Sequence, residues 1–279
     1  MNLFDILKIR GFNIKARCKM MRHQSSIRDV EEIFKHGHIN AYQAVQSKEI
    51  LNCDYLISFI GRGRSKACFA GIWKVEDFMP IKDVKLESDF PYPEFYAVPD
   101  DIYYNLEPID GFEDLIGRMI IDWGPSTRAW HQWLRDKPII EILPKGQIKP
   151  FPGYLDFTLS YADLCQMMSF TQANRAWHQM LSSIAGVYLI IDRLSGQQYV
   201  GSAYGKDGIL GRWRQYAANG HGGNTELKRL LKSNSGYARN LQFTILRTLP
   251  SSMTAKEVIA YEQIYKGKLG TRAHGLNMN

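Results

Sequence analysis

Two short apolar runs, 185–192 (AGVYLIID) and 197–204 (QQYVGSAY), flank Arg193-Leu194-Ser195-Gly196. Their β-branched and aromatic residues predict strands, and Ser-Gly supplies the positive φ that a tight hairpin turn needs. Each strand carries a tyrosine next to a glycine, as Gly186-Val187-Tyr188 and, ten residues on, Tyr199-Val200-Gly201. Strand side chains alternate between faces, so the pair can place both phenols on one side of a sheet.

The pattern then turns helical. Over 209–217, Ile209, Trp213 and Ala217 form an apolar stripe, with Arg212 and Tyr216 four apart along its edge. Arg212 there fits either a guanidinium held against a phosphate or a snorkelling side chain. Arg214 points elsewhere, to solvent or nucleic acid. Asn224 or Thr225 caps a helix with Leu227, Leu230 and Leu231 inward, and 240–246 alternates as a third strand. Thr254-Ala255-Lys256-Glu257 is a capping-box pattern opening a last helix. On it Val258, Tyr261, Tyr265 and Leu269 define one face. Glu262 projects within that face, about 40° from Val258 and about 20° from Leu269. A carboxylate on an apolar face is costly unless paired or metal-bound. A salt bridge to an arginine, a mis-phased helix and a divalent-metal ligand are the three readings.

Upstream, residues 1–50 read as helical, with 27–45 broken near Gly37. The basic opening (Lys8, Arg10, Lys15, Arg17, Lys19, Arg22) reads as a solvated face, with phosphate contact as the alternative. Strands are expected over 54–60 and 67–75. The joining Gly61-Arg62-Gly63-Arg64-Ser65-Lys66 is either an ordinary hairpin loop or a tip that presses amides and charge on a phosphodiester. Residues 76–114 hold twelve Asp and Glu against Lys82 and Lys85. With five prolines they read as an irregular excursion with short strands such as 95–98, and as a poor DNA surface. Strands resume over 118–121 and 138–143, which suggests a mixed, partly barrel-like unit. Arg128-Ala129-Trp130-His131-Gln132 recurs at 175–179. Both copies read as helices pinned to a core, with His131 and His178 as ligands or bases the alternative. The expected organisation is α+β: an N-terminal domain over 1–153, a helical connector over 154–180 and a C-terminal domain over 181–279.

Composition changes this picture in two places. No apolar run approaches the ~18 residues a membrane span needs, and the N-terminus shows no signal-peptide pattern. Four separated cysteines, none in a CxxC pair, argue against a disulfide framework or zinc site. A cytoplasmic or nucleoid-associated protein is expected. The net charge of +7 is uneven: residues 180–279 hold 13 Lys and Arg against 5 Asp and Glu. That excess suits a surface meeting a polyanion.

Taken together, Gly186-Val187-Tyr188, Tyr199-Val200-Gly201, Gly211-Arg212-Trp213 with Tyr216, then Glu262 and Gly275-Leu276-Asn277 resemble the GIY-YIG endonuclease superfamily over about 185–279. The resemblance implies a three-stranded antiparallel sheet flanked by helices and hydrolysis of phosphodiesters with Mg²⁺, or Mn²⁺ in its place. It makes Glu262 the metal ligand and Arg212 the phosphate-binding cation. Tyr188 and Tyr199 would hold or deprotonate the attacking water, with Tyr216 assisting, and Asn277 would order the site. Some members carry a lysine just after the second motif, where this chain has Ser202. That role would fall to Lys206 or to nothing. DNA is the expected partner, with RNA secondary and a homodimer the arrangement that would cut both strands. Arg62, Arg64, Lys66, Lys206, Arg214, His221 and Lys228 are the candidate nucleic-acid contacts. The reading is an endonuclease of restriction, defence or mobile-element type, against a structure-specific repair nuclease or a catalytically silent nucleic-acid-binding protein.

Overall fold

A stretch that reads as helical supplies an inner strand of the first sheet. Cys18–His23 is a strand with every residue buried. In the computed structural model, which describes residues 1–24, 29–63, 65–84, 90, 92–96, 98, 100–125, 130–233 and 236–277, the chain forms two units, Met1–Leu143 and Pro144–Asn279.

The first unit runs α1 (Leu3–Ile9), β1 (Cys18–His23), α2 (Val30–Lys35), α3 (Ile39–Ala44), β2 (Val45–Gln46), β3 (Tyr55–Arg62), β4 (Lys66–Pro80), β5 (Ile102–Pro108), β6 (Met119–Asp122), β7 (His131–Trp133) and β8 (Ile139–Ile142). Its sheet follows the order β2-β5-β4-β3-β1-β7, with β6 pairing both β4 and β8. The long β4 bonds β3 and β6 near its start and β5 near its end, and two register shifts bend it, so the mixed sheet curls. β1 is parallel to β3 and antiparallel to β7. Met20 packs into one apolar cluster and Met21 into another. A strand covered on both faces shows no alternation, and CKMMRH lacks the β-branched residues that would mark it.

The reading of a solvated basic opening holds for Lys8, Lys15 and Arg17, which are exposed, and is corrected for two others. Lys19 and Arg22 are buried, their charges lying over indole rings: Lys19 Nζ 4.9 Å from the Trp133 centroid and Arg22 Cζ 5.4 Å from that of Trp123. The first RAWHQ copy is corrected too. His131–Trp133 is an edge strand, not a helix, while the second copy lies in a helix. Pro93–Tyr96 forms a 3-10 turn, which takes up the first half of the strand expected over 95–98; residue 97 lies outside the described residues.

The second unit runs β9 (Leu159–Ser160), α4 (Tyr161–Ser169), α5 (Arg175–Ser182), β10 (Ile184–Asp192), β11 (Gln198–Ala203), α6 (Gly208–Asn219), α7 (Thr225–Ser233), β12 (Leu241–Pro250), α8 (Ala255–Leu269) and α9 (Thr271–His274). The antiparallel sheet has the order β11-β10-β12-β9. The expected three strands gain a two-residue edge strand, which comes from the stretch read as a connector. Leu164 and Met167 of α4 and Trp177 and Leu181 of α5 pack with Tyr188, Ile190, Trp213, Tyr216 and Phe243 in one core. Residues 154–180 are therefore structural in this unit: they cover the sheet face that α6 also covers. Trp177 Nε1 donates to Lys149 O at 2.6 Å. The opposite face, Val187, Leu189 and Val200, packs against Tyr261 and Tyr265 of α8. Among the described residues no helix is long and apolar enough to cross a membrane.

Candidate active site

The two tyrosines of the hairpin meet as the alternation predicts. Tyr188 lies opposite Gly201 and Tyr199 opposite Ile190, so both phenols occupy one face, with ring centroids 6.4 Å apart. Gly201 is the floor under Tyr188, since a Cβ there would sit 2.4 Å from its phenol oxygen. Gly186 serves the other neighbour: its Cβ would lie 2.5 Å from Arg247 O, beside the register shift at Val187/Tyr188.

α6 brings the arginine. Its first residue, Gly208, has φ +48° and leaves room for Ile184 O, which a Cβ would approach to 2.1 Å. Trp213 is fully buried and fixes the helix phase. Arg212 then turns toward the hairpin, where Nε donates to the Tyr188 hydroxyl at 3.1 Å and Nη1 to Gln215 Oε1 at 2.6 Å. Its Cζ lies 5.1 Å from the Tyr216 ring centroid, within cation–π range. The Tyr188 and Tyr216 hydroxyls are 3.2 Å apart. Among the described residues Arg212 Nη2 makes no hydrogen bond.

Burial pushes the Tyr188 phenol well above its ordinary value and the Tyr199 phenol adds to this, against Arg212 and Tyr216. Burial raises Tyr216 as well, with Tyr188 and Tyr199 contributing. Burial works against the Arg212 charge, but the phenols of Tyr188 and Tyr216 outweigh it and hold its pKa up. The cluster is thus a cation braced by two protonated phenols.

Glu262 enters from the other side of β11. The Ser202 hydroxyl donates to its Oε2 and Lys266 Nζ lies 2.8 Å from its Oε1. Its partner is a lysine, not the arginine considered from periodicity. Leu269, assigned to the buried face, is 41% exposed; the helix ends there at Gly270, in the left-handed conformation. Lys266 takes the inner position instead, at 3% exposure. Periodicity assigned that position no role, although the i,i+4 spacing from Glu262 was its signal. Asn277 is buried and fastens the edge strand: Oδ1 accepts from Val200 N at 2.9 Å and Nδ2 donates to Val200 O at 2.8 Å.

Tyr188, Tyr199 and Arg212 from one face of β11, and Ser202, Glu262 and Lys266 from the other, line a single cleft of about 950 Å³ that wraps this edge strand. Lys206 and Arg214 line it too, with Arg214 3.8 Å from Asp207. His221 and Lys228 are not among its walls. His221 Nδ1 accepts from Gly223 N at 2.9 Å, and burial, then Lys228, lowers its pKa. Lys228 is exposed on α7. In the first unit Arg62 pairs with Glu31 at 3.3 Å, Lys66 is exposed at the start of β4, and Arg64 lies outside the described residues. His131 stands on β7, its pKa lowered by burial and by Lys19. His178 Nε2 lies 3.0 Å from Met167 O, a part-buried contact between α5 and α4.

Among the described residues no three His, Cys, Asp or Glu side chains gather as a metal cage. Of the two carboxylates that line the cleft, Asp207 lies beside Arg214 and Glu262 is the one that could hold a divalent ion. Each carboxylate oxygen offers two acceptor positions and here receives one donor. Mg²⁺ is commonly held by one or two carboxylates together with waters and substrate oxygens, so the residues present fit such an ion.

No family model matches the chain, and no curated protein matches it. Solved structures similar to it include a variant of the catalytic domain of intron endonuclease I-TevI, at 22% identity over 34% of this chain and 94% of that one, with a TM-score of 0.28. Another is the catalytic domain of homing endonuclease I-TevI, at 21% identity over 34% of this chain and 98% of that one, also with a TM-score of 0.28.

Proposed function

We propose that Pro144–Asn279 is a Mg²⁺-dependent nuclease unit that hydrolyses DNA phosphodiesters, and that the preceding unit chooses the target. One observation carries this reading: Tyr188 and Arg212, braced by the buried Tyr216, and the carboxylate of Glu262 line the same cleft from opposite faces of one edge strand.

Arg212 is the phosphate group's partner. Its Nε is committed to Tyr188 and its Nη1 to Gln215, which leaves Nη2 to meet a phosphate oxygen. A guanidinium fixed before substrate arrives stabilises the charge that develops on the pentavalent phosphorus oxygens without reorganising. Tyr188 is fully buried with its phenol pushed up, so it stays protonated and acts as a hydrogen-bonding brace. Tyr199 is half-buried at the cleft wall and is the phenol placed to hold and orient the attacking water. Glu262 would hold Mg²⁺ or Mn²⁺, which supplies Lewis-acid polarisation of the phosphate and charge neutralisation. Lys206 and Arg214 at the cleft mouth extend the positive surface along the backbone of the nucleic acid. One such site cuts one strand, so a homodimer or two successive nicks would sever a duplex.

Restriction, defence or mobile-element cleavage suits a unit that chooses the target; structure-specific repair is the competing reading. The test is a substrate panel: supercoiled plasmid, long linear DNA, four-way junctions and RNA, each with Mg²⁺ and with EDTA. Discrete metal-dependent fragments from linear DNA support target reading. Preference for junctions supports repair. Retention of DNA without cleavage of any substrate would leave a silent binding protein and overturn the nuclease.

A further inference from the structure

We propose that Lys266 is a resident cation on the metal-binding carboxylate, which holds Glu262 in place when no divalent ion is bound and opposes the ion when it arrives. The inference rests on the nuclease reading above, because it concerns the metal ligand of that site.

Lysine is almost never fully buried without a partner, yet Lys266 is 3% exposed, with its ammonium 2.8 Å from Glu262 Oε1. Two features separate this contact from a surface pair at the same i,i+4 spacing. The carboxylate is itself only 14% exposed, and its other oxygen is held by the Ser202 hydroxyl. Ser202 directly follows Gly201, so the loading of Oε2 comes from the strand that carries Tyr199, while the loading of Oε1 comes from the carboxylate's own helix. A carboxylate engaged at both oxygens has one orientation, facing the cleft that Arg212 and Tyr199 also line.

Burying an ion pair is weak support for stability, because desolvation offsets most of the attraction. The pair makes sense where a buried carboxylate has to be kept ready for another cation. A divalent ion on Glu262 would sit within a few ångströms of the Lys266 ammonium, and like charges at that separation repel strongly in a partly desolvated site. The ammonium must swing off Oε1, or the ion binds more weakly. Either way Lys266 sets the metal concentration at which the site fills. A purely structural pair would contribute to folding and leave that concentration unchanged.

Thermal melting across MnCl₂ and MgCl₂ titrations separates these cases without relying on cleavage. Four variants accompany wild type: Lys266→Met, Lys266→Arg, Glu262→Gln and the double Glu262→Gln/Lys266→Met. Wild type should melt higher with metal, and Glu262→Gln should lose that response. Lys266→Met should melt below wild type without metal and recover with it, its half-effect concentration lower by roughly tenfold, as expected for removal of a neighbouring like charge. Lys266→Arg should keep the wild-type midpoint, and the double variant should ignore metal. A Lys266→Met midpoint equal to or above wild type overturns the inference while the Glu262 site stands. No Glu262-dependent metal response in wild type overturns the site itself, and the inference with it. If Lys266→Met folds only with metal, that supports the proposal; failure to fold at any metal concentration contradicts it, since the ion then cannot replace the ammonium.

Discussion

Gly201 lies directly across the β10–β11 ladder from Tyr188, and its Cα occupies the space over which the phenol extends. A methyl group there would sit 2.4 Å from the hydroxyl oxygen, too close for any real contact. Gly201→Ala therefore expels the phenol from its bonds to Arg212 and Tyr216. Overpacking of this kind costs about 1–3 kcal/mol. Denaturant melts should show a stable but weakened unit, and cleavage should vanish while the far-ultraviolet dichroism is unchanged.

Arg212→Lys keeps the charge and loses the fork. A lysine has no counterpart of the Nε–H that braces Tyr188 while a second nitrogen meets phosphate. Single-turnover cleavage is expected to fall by roughly a hundredfold or more, the usual cost of one preorganised donor. DNA affinity should change far less, which a binding titration without metal would show.

Asn277 closes both backbone groups of Val200. Asn277→Ala leaves a buried N–H and a buried C=O without that partner, at about 2–3 kcal/mol. Amide hydrogen exchange at Val200 should accelerate more than at Ile190 on the neighbouring strand. Equal protection in the variant would mean that Asn277 does not hold the edge strand.

His23 gives the first unit a pH dependence. It is buried beside Gln43, whose Oε1 accepts from it at 3.3 Å and from Ser58 Oγ at 2.5 Å. Burial lowers its pKa from the ordinary 6.5 to about 4, against the Gln43 bond. As pH falls the unfolded chain takes up this proton first. The contribution to stability is complete above pH 6.5 and is lost between pH 6.5 and about 4, at about 1.4 kcal/mol per pH unit and ~3 kcal/mol in all. Urea midpoints measured across that window should decline, and His23→Gln should flatten the decline.

The stripe of α6, the capping box of α8 and the inward Glu262 were legible because each obeys a local helical pattern, and the hairpin because β-branched and aromatic residues flank a Ser-Gly turn, although β10 is buried on both faces. The strand β1, also buried on both faces, was not, because CKMMRH has neither alternation nor β-branched residues to mark it. The helices α4 and α5 were recognised as helices, but their place in the second unit's core depends on contacts with Tyr188, Trp213 and Phe243 that no local pattern carries. Leu269 and Lys266 exchanged places for a related reason: helical arithmetic gives angles and not the point at which a helix leaves the sheet. The residue types of the site could be read from the sequence. What it did not show is that the site wraps an edge strand, drawing phenols from one face and the carboxylate from the other.

The central claim is that Arg212 and Glu262 act together on a phosphodiester in one cleft. The most direct measurement is single-turnover cleavage of an end-labelled DNA duplex by wild type, Arg212→Ala, Glu262→Ala and the double variant across a Mg²⁺ titration. The account predicts cleavage by wild type only with metal, a loss of at least roughly a hundredfold in each variant, and a double variant little worse than either single one, as expected for groups acting as a unit. Metal-independent cleavage, or a Glu262→Ala enzyme as active as wild type, would contradict it.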